Sequence, residues 1–261
     1  MLSNTQKLLA IMAQLRHPET GCPWDIKQDF ASLIPYLIEE AYEVIDAIER
    51  QDLLDLREEL GDLLLQIVFH SQIASERGLF TFDQVAQTLA EKLVRRHPHV
   101  FADAIFEDDG QRQAAWENAK RDERKDKNPA VESVLAGVAH SLPALIECEK
   151  IQDRAAQHGF DWQTIEPVFE KVLEELGEVK DAWHAQNHPH IQEEIGDLLL
   201  VVVNLARHLS VNPEMALKQS TQKFIKRFHY IEKQVAVSGR TLEECSLAEL
   251  DVFWHAAKQS V

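Results

Sequence analysis

Glycine and proline are scarce, nine of each in 261 residues, so few positions are set aside for tight turns or for breaking helices. No sustained alternation of β-branched residues marks a strand, and apolar residues recur at three-and-four spacing along most of the chain. An all-α protein is predicted. Cys22, Cys148 and Cys245 are scattered, with no Cys-x-x-Cys pair, which excludes a disulfide framework and a cysteine-built zinc site. The longest apolar run, Leu198 to Val203, is far too short to span a bilayer, and Met1 to Lys7 lacks the apolar core of a signal peptide. A soluble, cytoplasmic protein is expected. Lys and Arg total 27 against 44 Asp and Glu, a net charge of -17, which argues against a nucleic-acid partner or an anionic membrane surface. Neither a Gly-x-x-x-x-Gly-Lys-Ser/Thr loop nor a Gly-x-Gly-x-x-Gly turn is present, so any phosphate must be held by side chains and a metal.

What the chain has is acid, in a pattern. Glu39-Glu40-x-x-Glu43, fifteen residues, then Glu59-Leu60-Gly61-Asp62 recurs as Glu174-Glu175-x-x-Glu178, fifteen residues, then Glu194-Ile195-Gly196-Asp197, at a constant offset of 135. At the same offset Val44, Asp46 and Ala47 match Val179, Asp181 and Ala182, and Leu63 to Leu65 match Leu198 to Leu200. The duplication is that of a folding unit. A single motif of this kind usually marks a solvated helix face; repetition at fixed spacing, with an Asp opening an apolar helix each time, points to a shared chemical task.

Around Glu40 the residues Leu37, Ile38, Ala41, Val44, Ile45 and Ile48 form one helix stripe, with Glu40 and Glu43 on its flank. In the next element the stripe is Leu53, Leu56, Leu60, Leu63, Leu64 and Ile67, and Glu59 and Asp62 take the equivalent offset. Antiparallel packing through a short turn near Gln51 and Asp52 brings Glu40, Glu43, Glu59 and Asp62 together, and in the second copy Glu175, Glu178, Glu194 and Asp197. Four carboxylates at one place repel one another, and a divalent cation resolves this. An all-oxygen set suits Mg²⁺, with Mn²⁺ or Ca²⁺ as relatives.

Other residues accompany the acids. Lys92 with Arg96, and Lys223 with Arg227, are cation pairs four apart on helices downstream of each block. Asn204 falls seven residues after Asp197, on the same face, where the first copy has Phe69. Trp24 and Trp162 precede the acidic blocks as candidate walls of a base pocket, and Trp254 is a further stacking candidate. His97 and His99 are read as part of a basic loop. The charged stretch from Glu107 to Lys127, read as a solvated helix, ends at Asn128-Pro129, so two domains, 1–127 and 128–261, are expected.

At these residues the chain resembles the MazG family of nucleoside triphosphate pyrophosphohydrolases, in the all-α NTP pyrophosphatase superfamily. The superfamily pattern, Glu-Glu-x-x-Glu, a gap, then Glu-x-x-Asp, is met twice. Gly21-Cys22-Pro23-Trp24-Asp25, Arg95-Arg96-His97-Pro98-His99-Val100-Phe101 and Gly159-Phe160-Asp161-Trp162 extend the likeness over the whole chain.

The resemblance implies Mg²⁺-dependent hydrolysis of NTP to NMP and pyrophosphate, with broad base preference, in nucleotide-pool house-cleaning or regulation. It implies a four-helix core completed in a homodimer. Glu175, Glu178, Glu194 and Asp197 would be metal ligands, Lys171, Asn204, Lys223, Arg227 and Trp254 would meet the nucleotide, and Glu174 or Glu175 would take the proton from water. The second copy would carry catalysis and the first, with Glu40, Glu43, Glu59 and Asp62 intact, would be weak or silent and serve dimerisation. A di-iron carboxylate bundle is the alternative enzyme class, but no Glu is followed by His three residues on. A helical dimerisation protein holding a structural cation is the non-enzymatic alternative.

Overall fold

A computed structural model describes residues 2–127 and 133–260. Among them are twelve α-helices, one short 3₁₀ turn and no strand. The chain divides into two compact units, Met1–Lys127 and Asn128–Val261. The Asn128-Pro129 break expected from the sequence lies outside the described residues.

The first unit holds α1 (Asn4–Leu15), α2 (Pro23–Lys27), α3 (Ile34–Arg50), α4 (Leu53–Glu76), α5 (Phe82–Arg96), α6 (Pro98–Phe101) and α7 (Asp109–Lys127). Its centre is the α3–α4 hairpin; α1 and α5 pack on α4, and α7 on α5. Met12, Leu33, Val68, Phe69 and Ile73 form the buried core, with Leu8, Leu9, Phe30, Leu65 and Phe82 against it. The second unit holds α8 (Ala144–Ala156), α9 (Glu166–His184), α10 (His188–His208), α11 (Pro213–Val237) and α12 (Leu247–Ser260). The α9–α10 hairpin is its centre, with α8 on α10, α11 on both of these, and α12 on α11.

Both hairpins turn by the same local chemistry. Gln51 closes α3 in the left-handed region at φ 58°, and Gln186 stands in the same conformation at φ 52°. Each is followed by a short polar side chain that caps the next helix. Asp52 accepts from the amides of Leu54 and Asp55, both at 3.1 Å, and Asn187 accepts from the His190 amide. A cap immediately after a reversal forces the two helices antiparallel and side by side.

The seam between those helices is narrow, and its buried positions recur every seven residues. On α3 they are Leu33, the residue capping the helix, and Ala47; on α9 they are Val168, Glu175 and Ala182. Glu40 falls midway between Leu33 and Ala47, at the same register as Glu175. Glu194 and Val201 are the buried seam positions of α10. Glu175 and Glu194 therefore sit in the hairpin seam and Glu40 and Glu59 are half-buried beside it, whereas Glu43, Asp62, Glu178 and Asp197 stay exposed on its flank. The stripe itself remains partly uncovered: Ile38, Ile48, Leu53 and Leu60 are exposed in the first unit, as are Leu173, Leu176, Ile195 and Leu199 in the second. Small and acidic side chains let the hairpin close tightly, and the larger apolar ones are left over for another surface.

Two expectations about cations and charge are corrected here. Arg96 is not free for phosphate: with Arg95 it grips Glu123 of α7 through contacts of 2.5 Å, and it lies 5.2 Å from the Trp116 ring. The hydrogen bond from Arg96 holds the Glu123 carboxyl down at about 2. The charged helix α7 is thus docked on α5 by an ion pair, not simply solvated. His97 caps α5 and packs on Trp116, with centroids 5.0 Å apart.

Ala182 has no room to grow in the seam. Ala182→Leu should destabilise the second unit by about 1–3 kcal/mol, seen as a lower urea midpoint of its transition; an unchanged midpoint would show that the seam is not closely packed.

Candidate functional site

The seam register carries the carboxylates into contact. In the second unit oxygens of Glu175, Glu194 and Asp197 all lie within 4.8 Å of one another, and in the first unit those of Glu40, Glu43 and Glu59 do the same. The fourth acid of each set is coupled to the others. Desolvation, followed by the charge of Glu175, pushes the Glu178 carboxyl above the usual range. Asp62 acts on Glu40 and Glu59, which are also raised, desolvation again being the largest cause. Of the eight acids predicted from spacing, six meet in two groups of three, and Asp62 and Glu178 lie near enough to interact electrostatically with those groups. A set of convergent carboxylates with raised proton affinity fits a hard divalent cation.

The two cages differ in what balances them. In the second, Lys171 Nζ stands 2.8 Å from Glu174 and 2.7 Å from Glu175. These bonds, that to Glu174 first, raise the proton affinity of its ammonium. His190 Nδ1 lies 3.2 Å from Glu194 and 3.6 Å from Glu193. In the first cage the positions of Lys171 and His190 are taken by Tyr36 and Asp55, and Asp55 adds to the repulsion on Glu59. This contrast is present in the sequence at the offset of 135, where Lys171 and His190 correspond to Tyr36 and Asp55.

Asn204 is buried, and its amide oxygen is committed: Arg207 donates to it from Nε at 3.0 Å and from Nη2 at 2.8 Å. Arg207 also pairs with Asp161, which accepts from His208 at 2.9 Å. The guanidinium and imidazole beside Asp161 outweigh its desolvation and hold its carboxyl below the usual value. The clamp anchors the loop that presents Phe160 and Trp162, both exposed, beside α10. With its oxygen held, Asn204 faces other groups as a hydrogen-bond donor. The Arg207–Asp161 link escaped sequence reading, since its partners are 46 residues apart.

Arg227 of α11 meets Trp254 of α12, and Lys223 lies one turn before Arg227 on α11. The Arg227 guanidinium lies 5.7 Å from the Trp254 ring, which packs on Phe224 at 5.2 Å. Arg227 Nε is buried with no hydrogen-bond partner, and Lys223 is exposed. Among the described residues no ion pair joins this cluster to the acid cage, although α11 packs on α10.

With this geometry the comparisons agree. Residues 28–101 and 163–231, the two hairpins and their flanks, match the MazG nucleotide pyrophosphohydrolase domain. The chain is 46% identical over 99% of its length to a nucleoside triphosphate pyrophosphohydrolase of Escherichia coli, covering 98% of that protein. It is 47% identical over 97% of its length to the nucleoside triphosphate pyrophosphohydrolase/pyrophosphatase MazG of Thermotoga maritima, covering 95% of it. A nucleoside triphosphate pyrophosphohydrolase of Mycobacterium tuberculosis is 40% identical over 59% of the chain. The protein is a hydrolase of the all-α class that acts on anhydrides, and it belongs to the MazG nucleotide pyrophosphohydrolase family.

The raised carboxyls have a definite pH signature. A group whose folded pKa lies above its unfolded value adds stability below the unfolded value and loses it as pH rises through the folded one. In metal-free protein Glu178→Gln should therefore raise the thermal midpoint at about pH 8 and leave it unchanged below about pH 4. A midpoint that is unaltered at the higher pH would mean that Glu178 carries no strain.

Proposed function

We propose that the protein hydrolyses nucleoside triphosphates to the monophosphate and pyrophosphate in the cage of the second unit, using Mg²⁺ with Mn²⁺ as substitute. The observation that carries this reading is the convergence of Glu175, Glu194 and Asp197 within 4.8 Å of one another, with Lys171 already bonded to Glu175. Glu175, Glu178, Glu194 and Asp197 hold the metal. When bound, it neutralises phosphate oxygens and acidifies a water molecule.

The chain's own groups do the rest. Lys171 occupies the cage as an internal cation; once the acids have another counter-charge, its ammonium is free to pair with a phosphate oxygen. Glu174 is the better base of the two candidates. Its side chain is 57% exposed and Glu175 is 6% exposed at the centre of the cage, so Glu174 keeps an oxygen able to accept the proton of the attacking water. Lys223 and Arg227 meet the departing pyrophosphate, Arg227 having a buried N–H in need of an acceptor. Trp254 and Asn204 contact the nucleoside. Stacking and one donor tolerate many bases, which supports broad preference and a role in clearing or regulating nucleotide pools.

The uncovered apolar residues Leu173, Leu176, Ile195 and Leu199 support a homodimer in which two hairpins complete a four-helix core. The net charge of -17 supports the absence of a nucleic-acid partner. No helix of the described residues is long and apolar enough to cross a membrane, and a cytoplasmic location fits the reading.

Incubation with Mg²⁺ and each NTP should yield NMP and pyrophosphate; NDP with orthophosphate would contradict the proposal. The second unit should carry the turnover. Neutralising Glu178 and Asp197 together should reduce hydrolysis by a hundredfold or more, on the order of 3 kcal/mol in the barrier, whereas neutralising Glu43 and Asp62 should leave most of it. Equal losses would assign catalysis to both units.

A further inference from the structure

The side-chain amide of Gln152 is held at one end and unsatisfied at the other. Gln152 lies on α8, which packs on α10, and its Nε2 donates to the backbone carbonyl of Leu200 at 2.8 Å. That bond fixes the amide, while its Oε1 is buried with no hydrogen-bond partner. Buried carbonyl oxygens without a partner are rare in native proteins, because their lost hydration is uncompensated. What such an oxygen lacks is an N–H or O–H from outside the protein. The equivalent residue of the first unit is in a different state. The pattern Gln-x-Arg, four residues, Gly-x-x-Trp occurs twice, from Gln14 to Trp24 and from Gln152 to Trp162. Its arginines behave alike, each donating to nearby backbone carbonyls: Arg16 to those of Asp25 and Gln28, Arg154 to those of Leu135, Ala136 and Gly137. Its glutamines do not. Gln14 is exposed and donates to Thr20 Oγ1 at 3.0 Å, whereas Gln152 reaches across to a neighbouring helix.

Leu200 places this amide relative to the acids. It is three residues past Asp197 and four before Asn204, so all three lie on one face of α10. At 1.5 Å per residue Leu200 is about 4.5 Å along the axis from Asp197. The Asn204 side chain leans back toward Leu200, and with its oxygen held by Arg207 it has its N–H groups to donate. An acceptor from α8 and a donor from α10 are thus set one turn beyond the acids. In any nucleotide the group next to the phosphates is the sugar, and a single sugar hydroxyl can donate to one oxygen while accepting from one N–H.

We propose that Gln152 is a substrate-binding residue of the second unit, its Oε1 accepting from a hydroxyl of the nucleotide's sugar to which Asn204 donates. The proposal rests on the reading of that unit as the nucleotide site and deepens it. Ribonucleotides and deoxyribonucleotides both carry such a hydroxyl whatever their base, so the contact adds affinity without selecting a base.

The test is equilibrium binding to the full-length protein, with Mg²⁺, of α,β-methylene ATP and its 2′-deoxy, 3′-deoxy and 2′,3′-dideoxy forms. These analogues resist cleavage between the α- and β-phosphorus, so affinity is read apart from turnover. Wild type should bind the dideoxy form about tenfold more weakly than the parent, the scale of one lost hydrogen bond to a buried group, and the two single-deoxy forms identify the hydroxyl. Gln152→Leu keeps the bulk and removes the acceptor. It should bind the parent about tenfold more weakly and the parent and dideoxy forms nearly alike, with circular dichroism showing intact helices; Gln152→Met is the second variant should the first unfold. Equal affinity of wild type for parent and dideoxy forms would overturn the proposal and leave the nucleotide site standing. So would a variant that weakens all four analogues equally, the mark of a structural role, or one that alters preference among bases instead. Failure of wild type to bind any analogue would overturn both readings, whereas binding without NTP turnover would strike hydrolysis alone.

Discussion

Carboxylates placed in the seam of an antiparallel helix hairpin are the constraint around which each unit is built. A seam position is a packing position, and in both copies one such place on each helix is given to Glu, flanked by Leu33 and Ala47 or by Val168 and Ala182. The hairpin must close tightly, because its buried residues are small, yet closing it forces like charges together. The tension is resolved only by a positive partner. Other features of the site answer this demand: the internal Lys171 and the oxygen geometry suited to a hard cation.

The same backbone answers the demand in two ways. The second copy lodges Lys171 beside the acids, and a network through Arg207 and Asp161 leaves Asn204 its N–H groups to donate. The first copy has Tyr36 and Phe69 in place of Lys171 and Asn204, and desolvation, then the charge of neighbouring acids, raises its Glu40 and Glu59 carboxyls as it raises Glu178 in the second. Duplication preserved the cage while its surroundings were free to separate into a polar pocket and a filled one.

Much of this was legible in the sequence for a physical reason. Helical periodicity and a fixed offset between copies are properties of the backbone, so the all-α class, the paired hairpins, the turn at Gln51 and Asp52 and the two groups of converging acids follow from spacing alone. Ile38, Ile48 and Leu60 lie on the predicted apolar stripes and are nevertheless exposed, because an apolar residue on a helix does not say which neighbour covers it. Arg96 and Asn204 show the other limit. Their partners, Glu123 and Arg207, are chosen in three dimensions, and for Arg96 the pairing with α7 replaced the phosphate role suggested by its likeness to Arg227.

The central claim is that the second cage directs water to the α-phosphorus of a triphosphate. Single turnover in ¹⁸O-water, with the products resolved by mass spectrometry, tests it most directly. The label should appear in the phosphate of the nucleoside monophosphate and not in pyrophosphate; label in pyrophosphate would place the attack at the β-phosphorus and contradict the account.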